Sequence, residues 1–86
     1  MLDGYEDIIR KFSSGQISAD EFESSFLAKF KHDQNQVPSR EFEILDSLFA
    51  DVDEYVADAE LRESVGGISA DVLRDRAQSV YRRLYG

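Results

Sequence analysis

Apolar side chains recur at intervals of three and four residues along most of this chain, which is the spacing of one face of an α-helix. The first stripe consists of Tyr5, Ile8, Ile9 and Phe12. It is followed by Ser13-Ser14-Gly15, where Gly15 is suited to the left-handed conformation that commonly follows a helix. The pattern therefore predicts a first helix that ends just before Gly15.

The second predicted helix has a strong start signal. Ser18 is followed three residues later by Glu21, which is a capping box, and Ile17 and Phe22 are spaced to pack together as a hydrophobic staple. The apolar face of this helix is Phe22, Phe26, Leu27 and Phe30. We expect it to end near Lys31-His32, because basic side chains interact favourably with the C-terminal end of the helix dipole.

A polar loop at 33–37 and Pro38 precede the third predicted helix, for which Ser39 is a suitable N-cap. Its apolar face is Phe42, Leu45, Leu48, Phe49, Val52 and Val56. A stripe of this length predicts a helix that runs to about residue 57.

The segment 58–67 is ambiguous. Leu61 and Val65 are compatible with a continued helix or with an irregular loop, and Gly66-Gly67 would end either one. Ile68-Ser69-Ala70-Asp71 then repeats the residues at 17–20 in the same order, which we interpret as two independent helix starts. The last predicted helix follows Ser69, and its inward positions are Leu73, Ala77, Val80, Tyr81 and Leu84.

Four amphipathic helices joined by short links predict an all-α fold, a small antiparallel four-helix bundle, in which residues 1–86 form a single domain. No segment alternates between apolar and polar residues with a period of two, so no sheet is expected. Hydrophobic residues make up 42 % of the chain and include six Phe and four Tyr, which supply bulky material for a core.

The charge of the chain is concentrated in one stretch. Residues 41–63 contain nine acids and a single base, Arg62, so this stretch alone carries the formal net charge of −8. The acids are Glu41, Glu43, Asp46, Asp51, Asp53, Glu54, Asp58, Glu60 and Glu63. A surface of one sign attracts and orients a partner of the opposite sign. The charge pattern therefore indicates a basic partner.

Several kinds of chemistry lack the residues that they require. The chain has no cysteine, and its single histidine is His32, so we expect no catalysis, no metal and no other cofactor. The acidic N-terminus, residues 1–7, does not resemble a signal peptide, and no apolar run is long enough to span a bilayer. A cytoplasmic protein without a membrane partner is expected. Direct nucleic acid binding is disfavoured, because an acidic chain repels phosphates.

A short motif within the third predicted helix leaves an alternative function open. Asp46-Ser47-Leu48 spells the tripeptide that is modified in acyl carrier proteins, which are also acidic helical domains of this length. A carrier protein has this serine at the start of a helix, whereas Ser47 falls in the middle of one, so we prefer a chance tripeptide. A carrier protein modified on Ser47 and a generic acidic adaptor for a basic protein remain the alternatives.

Two surfaces of the third predicted helix lie outside its apolar face. The solvent-facing positions opposite the core are Glu43, Ala50, Glu54 and Asp58. Along one flank, an exposed aromatic side chain stands among carboxylates, at positions Ile44, Asp51, Tyr55 and Asp58. Tyrosine is frequent among the residues that dominate binding energy. After Arg40 this helix has no base to offset its acids, which favours an interface over an ordinary solvated face.

The chain resembles the colicin D immunity protein family, the bacterial self-protective colicin-like immunity proteins. The resemblance rests on five features: Phe12-Ser13-Ser14-Gly15, the helix start at 17–22, Leu48-Phe49, the acidic segment 51–62 and the closing helix at 69–84. It implies an antiparallel four-helix protein that neutralises a tRNA-cleaving toxin domain. That toxin would belong to a colicin-type bacteriocin or to a contact-dependent inhibition system.

The resemblance also implies how the partner is bound. The partner would be the basic C-terminal nuclease domain of a cognate toxin, held in a 1:1 heterodimer, with carboxylates standing in for RNA phosphates in its active-site cleft. Carried over by position, the toxin-binding residues would be Asp51, Asp53, Glu54, Asp58 and Glu60, with Tyr55 as a possible anchor. Glu43, from the solvent-facing side of the third predicted helix, completes the predicted toxin-binding set.

Overall fold

The described part of the chain, residues 4–33 and 39–85 of a computed structural model, is helical and contains no strand. Its helices are α1 (Tyr5–Ser13), α2 (Ala19–His32), α3 (Arg40–Glu54), α4 (Ala59–Val65) and α5 (Ala70–Tyr85). The all-α class is confirmed. Most of the loop predicted at 33–37, together with Pro38, lies outside the described residues.

The predicted helix ends are largely confirmed, because local contacts determine them. The Ser18 hydroxyl accepts a hydrogen bond from the Glu21 amide at 3.1 Å, and the Ser39 hydroxyl accepts one from the Phe42 amide at 3.1 Å. Gly15 follows α1 with a φ of +83°, in the left-handed region. The two serine caps satisfy amides that a helix N-terminus leaves without an intrahelical partner. The left-handed Gly15 ends α1 in the usual way.

Aromatic rings from α1 and α2 form the centre of the core. Phe12 stacks on Phe22 with ring centroids 4.4 Å apart, and Phe26 stacks on Phe30 at 5.7 Å. Tyr5 meets the Phe26 ring edge-on at 5.9 Å. The fully buried side chains that surround these rings come from α1, α3 and α5, namely Ile9, Leu45, Leu48, Val52, Leu73 and Ala77. The predicted inward faces of all four longer helices therefore meet in one core.

Helix α5 packs against α1, α2 and α3 and holds the end of α1 in place. The Arg74 guanidinium lies over the Phe12 ring, 4.9 Å from its centroid, and its Nε donates to the Phe12 carbonyl at 3.0 Å. The Gln78 amide nitrogen donates to the Ser13 carbonyl at 3.0 Å. Both bonds go to carbonyl oxygens in the last turn of α1, which have no intrahelical amide partner; the Phe12 carbonyl also accepts from the Gly15 amide at 3.1 Å.

Helix α3 ends at Glu54 rather than near residue 57, and this difference changes the helix count. Tyr55 adopts an extended conformation, and the next amide, that of Val56, donates to the Ile68 carbonyl at 3.1 Å. The Ile68 amide donates to the Glu54 carbonyl at 2.9 Å, which completes an isolated parallel bridge. The last turn of α3 has no basic residue to stabilise its C-terminal dipole.

The ambiguous segment at 58–67 forms the short helix α4, so the described residues contain five helices and the predicted four-helix bundle is not confirmed. The Asp58 side chain caps this helix, and Gly66 ends it with a φ of +73°. None of the residues in α4 is buried, and α4 packs against none of the other described helices.

We predict that Gly67→Ala destabilises the protein. A Cβ atom at this position would lie 2.6 Å from Cγ2 of Val56 and 2.7 Å from the Glu54 carbonyl oxygen, and a backbone atom cannot move aside by a rotamer change. Overpacking of this kind lowers the free energy of unfolding by about 2 kcal/mol. Urea unfolding measures the effect.

Gly15→Ala is the comparison for this test. Its Cβ would meet no atom within 4 Å, so it reports only the strain of a left-handed alanine, which is about 1 kcal/mol. A Gly67→Ala variant that unfolds at the same urea concentration as the parent would contradict the close packing of Gly67 against the end of α3.

Candidate partner-binding site

The exposed side of α3 carries several of the carboxylates that the sequence singled out. Glu43, near the start of the helix, and Asp53 and Glu54, at its end, are exposed. The exposure of Glu43 and Glu54 agrees with the predicted solvent-facing side of the helix. In the described part of the chain, none of these three carboxylates forms a salt bridge.

The fold adds two carboxylates from α2 that the sequence analysis did not include. The Tyr55 hydroxyl donates to Oδ1 of Asp20 at 2.9 Å and so ties the end of α3 to the first turn of α2. Glu23, one turn further along α2, interacts electrostatically with both Asp20 and Asp53. We call the group Asp20, Glu23, Asp53 and Tyr55 the α2–α3 acidic surface.

The carboxylates of this surface repel one another. Burial is the larger cause that raises the pKa of Glu23, and the negative charges of Asp20 and Asp53 raise it further. Carboxylates that destabilise one another in the free protein are stabilised by a cation placed against them. The α2–α3 acidic surface is therefore suited to binding positive charge from outside the chain.

Tyr55 is not the exposed aromatic of a helix flank that the sequence predicted. It caps the C-terminus of α3 and is half-buried against the core. Burial and the hydrogen bond to Asp20 raise the pKa of its hydroxyl, while the positive charge of Arg62 lowers it. The predicted position of Tyr55 was wrong because the prediction assumed that α3 continues past residue 54.

Asp51 points away from the α2–α3 acidic surface, towards α5. Its carboxylate lies 3.5 Å from the Arg76 guanidinium, and its side chain is only 20 % exposed. Burial raises the pKa of Asp51, Arg76 lowers it and Glu54 raises it. Asp51 lines a pocket of about 290 Å³ between the two helices, together with Ser47, Arg76, Ser79, Val80 and Arg83. Asp51 is thus paired internally with Arg76, while the charge of Glu54, another predicted site residue, still acts on it.

Ile44, Asp58 and Glu60 also lie elsewhere than predicted. Ile44 is buried in the core and not on an exposed flank. Asp58 lies beyond α3, and its Oδ1 accepts hydrogen bonds from the amides of Glu60 at 2.9 Å and Leu61 at 3.1 Å. Asp58 and Glu60 therefore belong to the start of α4, where a carboxylate stabilises the helix N-terminus.

Ser47 occupies the middle of α3, and its hydroxyl donates to the Ile44 carbonyl at 2.7 Å. This is the ordinary local bond of a serine inside a helix. The position agrees with the expectation that Ser47 does not begin a helix. No feature of the described residues favours a carrier protein.

Two further properties of the described residues bear on the kind of protein. None of their helices is both long and apolar enough to cross a membrane. No cluster of three or more histidine, cysteine, aspartate or glutamate side chains in the same residues is arranged to hold a metal ion.

The sequence profile of the bacterial self-protective colicin-like immunity family matches residues 1–84. Since the match covers nearly the whole chain, the protein belongs to this family. No curated protein matches the chain at a significant level. Family membership indicates an immunity protein that neutralises a toxin and binds that toxin as its partner, and such proteins are inhibitors and not enzymes.

We predict that Glu23→Gln stabilises the free protein at pH 7. The folded protein holds the Glu23 proton to a higher pH than the unfolded chain does, so the free energy of unfolding falls as the pH rises through this pKa. Glutamine removes that loss, which we expect to be about 0.5 kcal/mol for a partly exposed group. Urea unfolding at pH 7 and at pH 3 tests it, because the gain disappears where the carboxyl is protonated in both states.

Glu43→Gln is the matched control. This residue is exposed and lies in the first turn of α3, where the helix dipole favours a negative charge. Its neutralisation leaves the free energy of unfolding unchanged or lowers it slightly. If Glu23→Gln also lowers the free energy of unfolding at pH 7, repulsion within the α2–α3 acidic surface is refuted.

Proposed function

We propose that this immunity protein neutralises a tRNA-cleaving toxin domain by covering its basic active-site cleft with the α2–α3 acidic surface and the neighbouring Glu54. The observation that supports this most is the convergence of Asp20, Glu23 and Asp53 from two helices, with a raised pKa at Glu23. A nuclease cleft binds RNA phosphates through lysine and arginine side chains. Carboxylates presented together can occupy the same cationic positions.

The charge distribution also supports a role in speeding the association of this protein with the toxin domain. The excess of acids lies within residues 41–63, and the fold adds the acids of α2 beside them. A concentrated field of one sign raises the rate at which an oppositely charged partner arrives in the correct orientation. Rapid capture suits an inhibitor that must act before its toxin reaches RNA.

The complex that we propose is a 1:1 heterodimer formed in the cytoplasm, where tRNA is located. The toxin contributes the basic C-terminal nuclease domain of a bacteriocin or of a contact-dependent inhibition system. Asp53, Glu54 and Tyr55 contribute from the end of α3, and Asp58 and Glu60 extend the contact along α4. Glu43, at the other end of the helix, lies at the rim of the contact. Asp51, which Arg76 pairs internally, acts by holding α3 against α5.

We predict that the double variant Asp53→Lys, Glu54→Lys slows association with the toxin domain. Reversal of two exposed charges on the proposed contact reduces the association rate constant by about tenfold or more at low salt. It also reduces the dependence of that rate constant on salt concentration. Surface plasmon resonance between 50 and 500 mM NaCl measures both effects.

Asp75→Lys is the control for the general effect of charge. Asp75 is exposed on α5, and its reversal changes the net charge without altering the α2–α3 acidic surface. Its association rate constant stays within about twofold of the parent value. Equal slowing by Asp75→Lys and by each single reversal on α3 would refute a localised electrostatic contact.

Co-expression tests the proposed function itself. Immunity genes normally lie directly downstream of their toxins, so the C-terminal domain encoded immediately upstream is expressed with and without this protein. We expect that domain to stop growth and to fragment tRNA, and we expect co-expression of this protein to relieve both effects. A toxin that kills without cleaving tRNA would disprove the tRNA-cleaving target and leave family membership intact. A domain that is harmless, or whose toxicity persists, would overturn the proposed function.

A further inference from the structure

Two aliphatic side chains on α4 are the most exposed large hydrophobic residues in the described part of the chain. Leu61 is 53 % exposed and Val65 is 62 % exposed, and the next most exposed large hydrophobic residue of the described chain is Val72, at 39 %. None of the residues in α4 is buried, and α4 packs against none of the other described helices. Leu61 and Val65 are four residues apart in α4 and therefore lie on the same face of the helix. A contiguous exposed apolar patch commonly marks an interaction site.

Helix α4 is nevertheless held in a defined position. Asp58 caps its first turn, Gly66 ends it, and the Arg62 guanidinium donates to the Val56 carbonyl at 3.0 Å. Arg62 is thereby directed back towards the end of α3, where its charge also acts on Tyr55. The helix is therefore anchored beside the α2–α3 acidic surface, with its aliphatic side chains left to solvent.

The charges on α4 restrict what can cover Leu61 and Val65. Glu60 and Glu63 are exposed on the same helix, and the one base of α4, Arg62, is engaged with the Val56 carbonyl. A second copy of this chain would bring two acidic surfaces together, and an anionic lipid surface would repel the helix. The occupant that fits is a protein surface with an apolar pocket and a basic rim.

We propose that Leu61 and Val65 form the apolar anchor of the toxin complex, entering an apolar pocket that adjoins the basic cleft of the toxin domain. This inference rests on the proposed function and divides the interface into two parts. The carboxylates of the α2–α3 acidic surface bring the partner in, and α4 retains it. A few side chains that are fully buried in pockets at the centre of an interface commonly supply most of its binding energy, while a charged rim controls the rate of encounter.

The two parts have different kinetic signatures. Loss of an apolar contact formed only after docking raises the dissociation rate constant and leaves the association rate constant nearly unchanged. The salt dependence of association is also unchanged, because no charge is removed. Charge reversal on α3 has the opposite signature, so each variant serves as a reference for the other.

The experiment uses the full-length protein and the catalytically inactive C-terminal domain encoded immediately upstream, immobilised for surface plasmon resonance. We expect Leu61→Ala and Val65→Ala each to raise the dissociation rate constant by about tenfold, and the double variant to raise it further. The association rate constant of each variant stays within about twofold of the parent value. The matched control is Val72→Ala, an exposed aliphatic side chain outside α4, whose dissociation rate constant stays near the parent value.

Thermal unfolding of the same variants separates binding from folding. Since α4 contributes no buried residue, Leu61→Ala and Val65→Ala leave the melting temperature within about 2 °C of the parent. A large fall in the melting temperature would show that these side chains support the fold, and it would overturn their assignment to the interface.

The outcomes distinguish this inference from the proposed function. A parent protein that does not bind the upstream domain contradicts both. Binding that slows on charge reversal but dissociates at the parent rate in the double alanine variant leaves the proposed function in place and overturns the anchor. An increase with Val72→Ala equal to that with Leu61→Ala would also overturn it, because the effect would not belong to α4.

Discussion

Two backbone hydrogen bonds, between the end of α3 and Ile68, determine the arrangement on which the candidate site depends. They stop α3 at Glu54 and turn Tyr55 towards Asp20 on α2. They also fix both ends of the segment that contains α4, so that this helix projects from the body of the protein without packing on it. The close approach leaves room for only a hydrogen atom at Gly67. This pairing between residues distant in the sequence thus brings together the acids of α2, the end of α3 and α4.

Packing in the aromatic core offsets the repulsion between the carboxylates on this surface. A single chain of 86 residues without disulfides has little free energy of unfolding to lose. Stacked and edge-on rings from α1 and α2, together with aliphatic side chains of α3 and α5, form one buried core. Arg74 and Gln78 then satisfy the carbonyl groups at the end of α1. Carboxylate repulsion at the surface is tolerated because it lies outside this packed region.

Features that depend on neighbouring residues could be predicted from the sequence, and features that depend on distant ones could not. Ser18, Ser39 and Gly15 behave as predicted because a cap is determined within three or four residues. The end of α3 was misplaced because Val56 continues the apolar stripe, and its pairing with Ile68 crosses 12 positions. Charge density identified the acidic region. It gave no sign that Arg76 pairs with Asp51, or that α2 supplies two further carboxylates.

The separation of α4 from the core has a consequence for how such a protein can change over time. Residues 59–65 contribute to the surface and not to the interior, so their side chains, apart from that of Arg62, can vary without loss of the fold. Where the same side chains serve both stability and function, a gain in one commonly costs the other. Here the two purposes occupy different segments. A lineage could follow a changing partner by altering one short helix while the aromatic interior stays as it is.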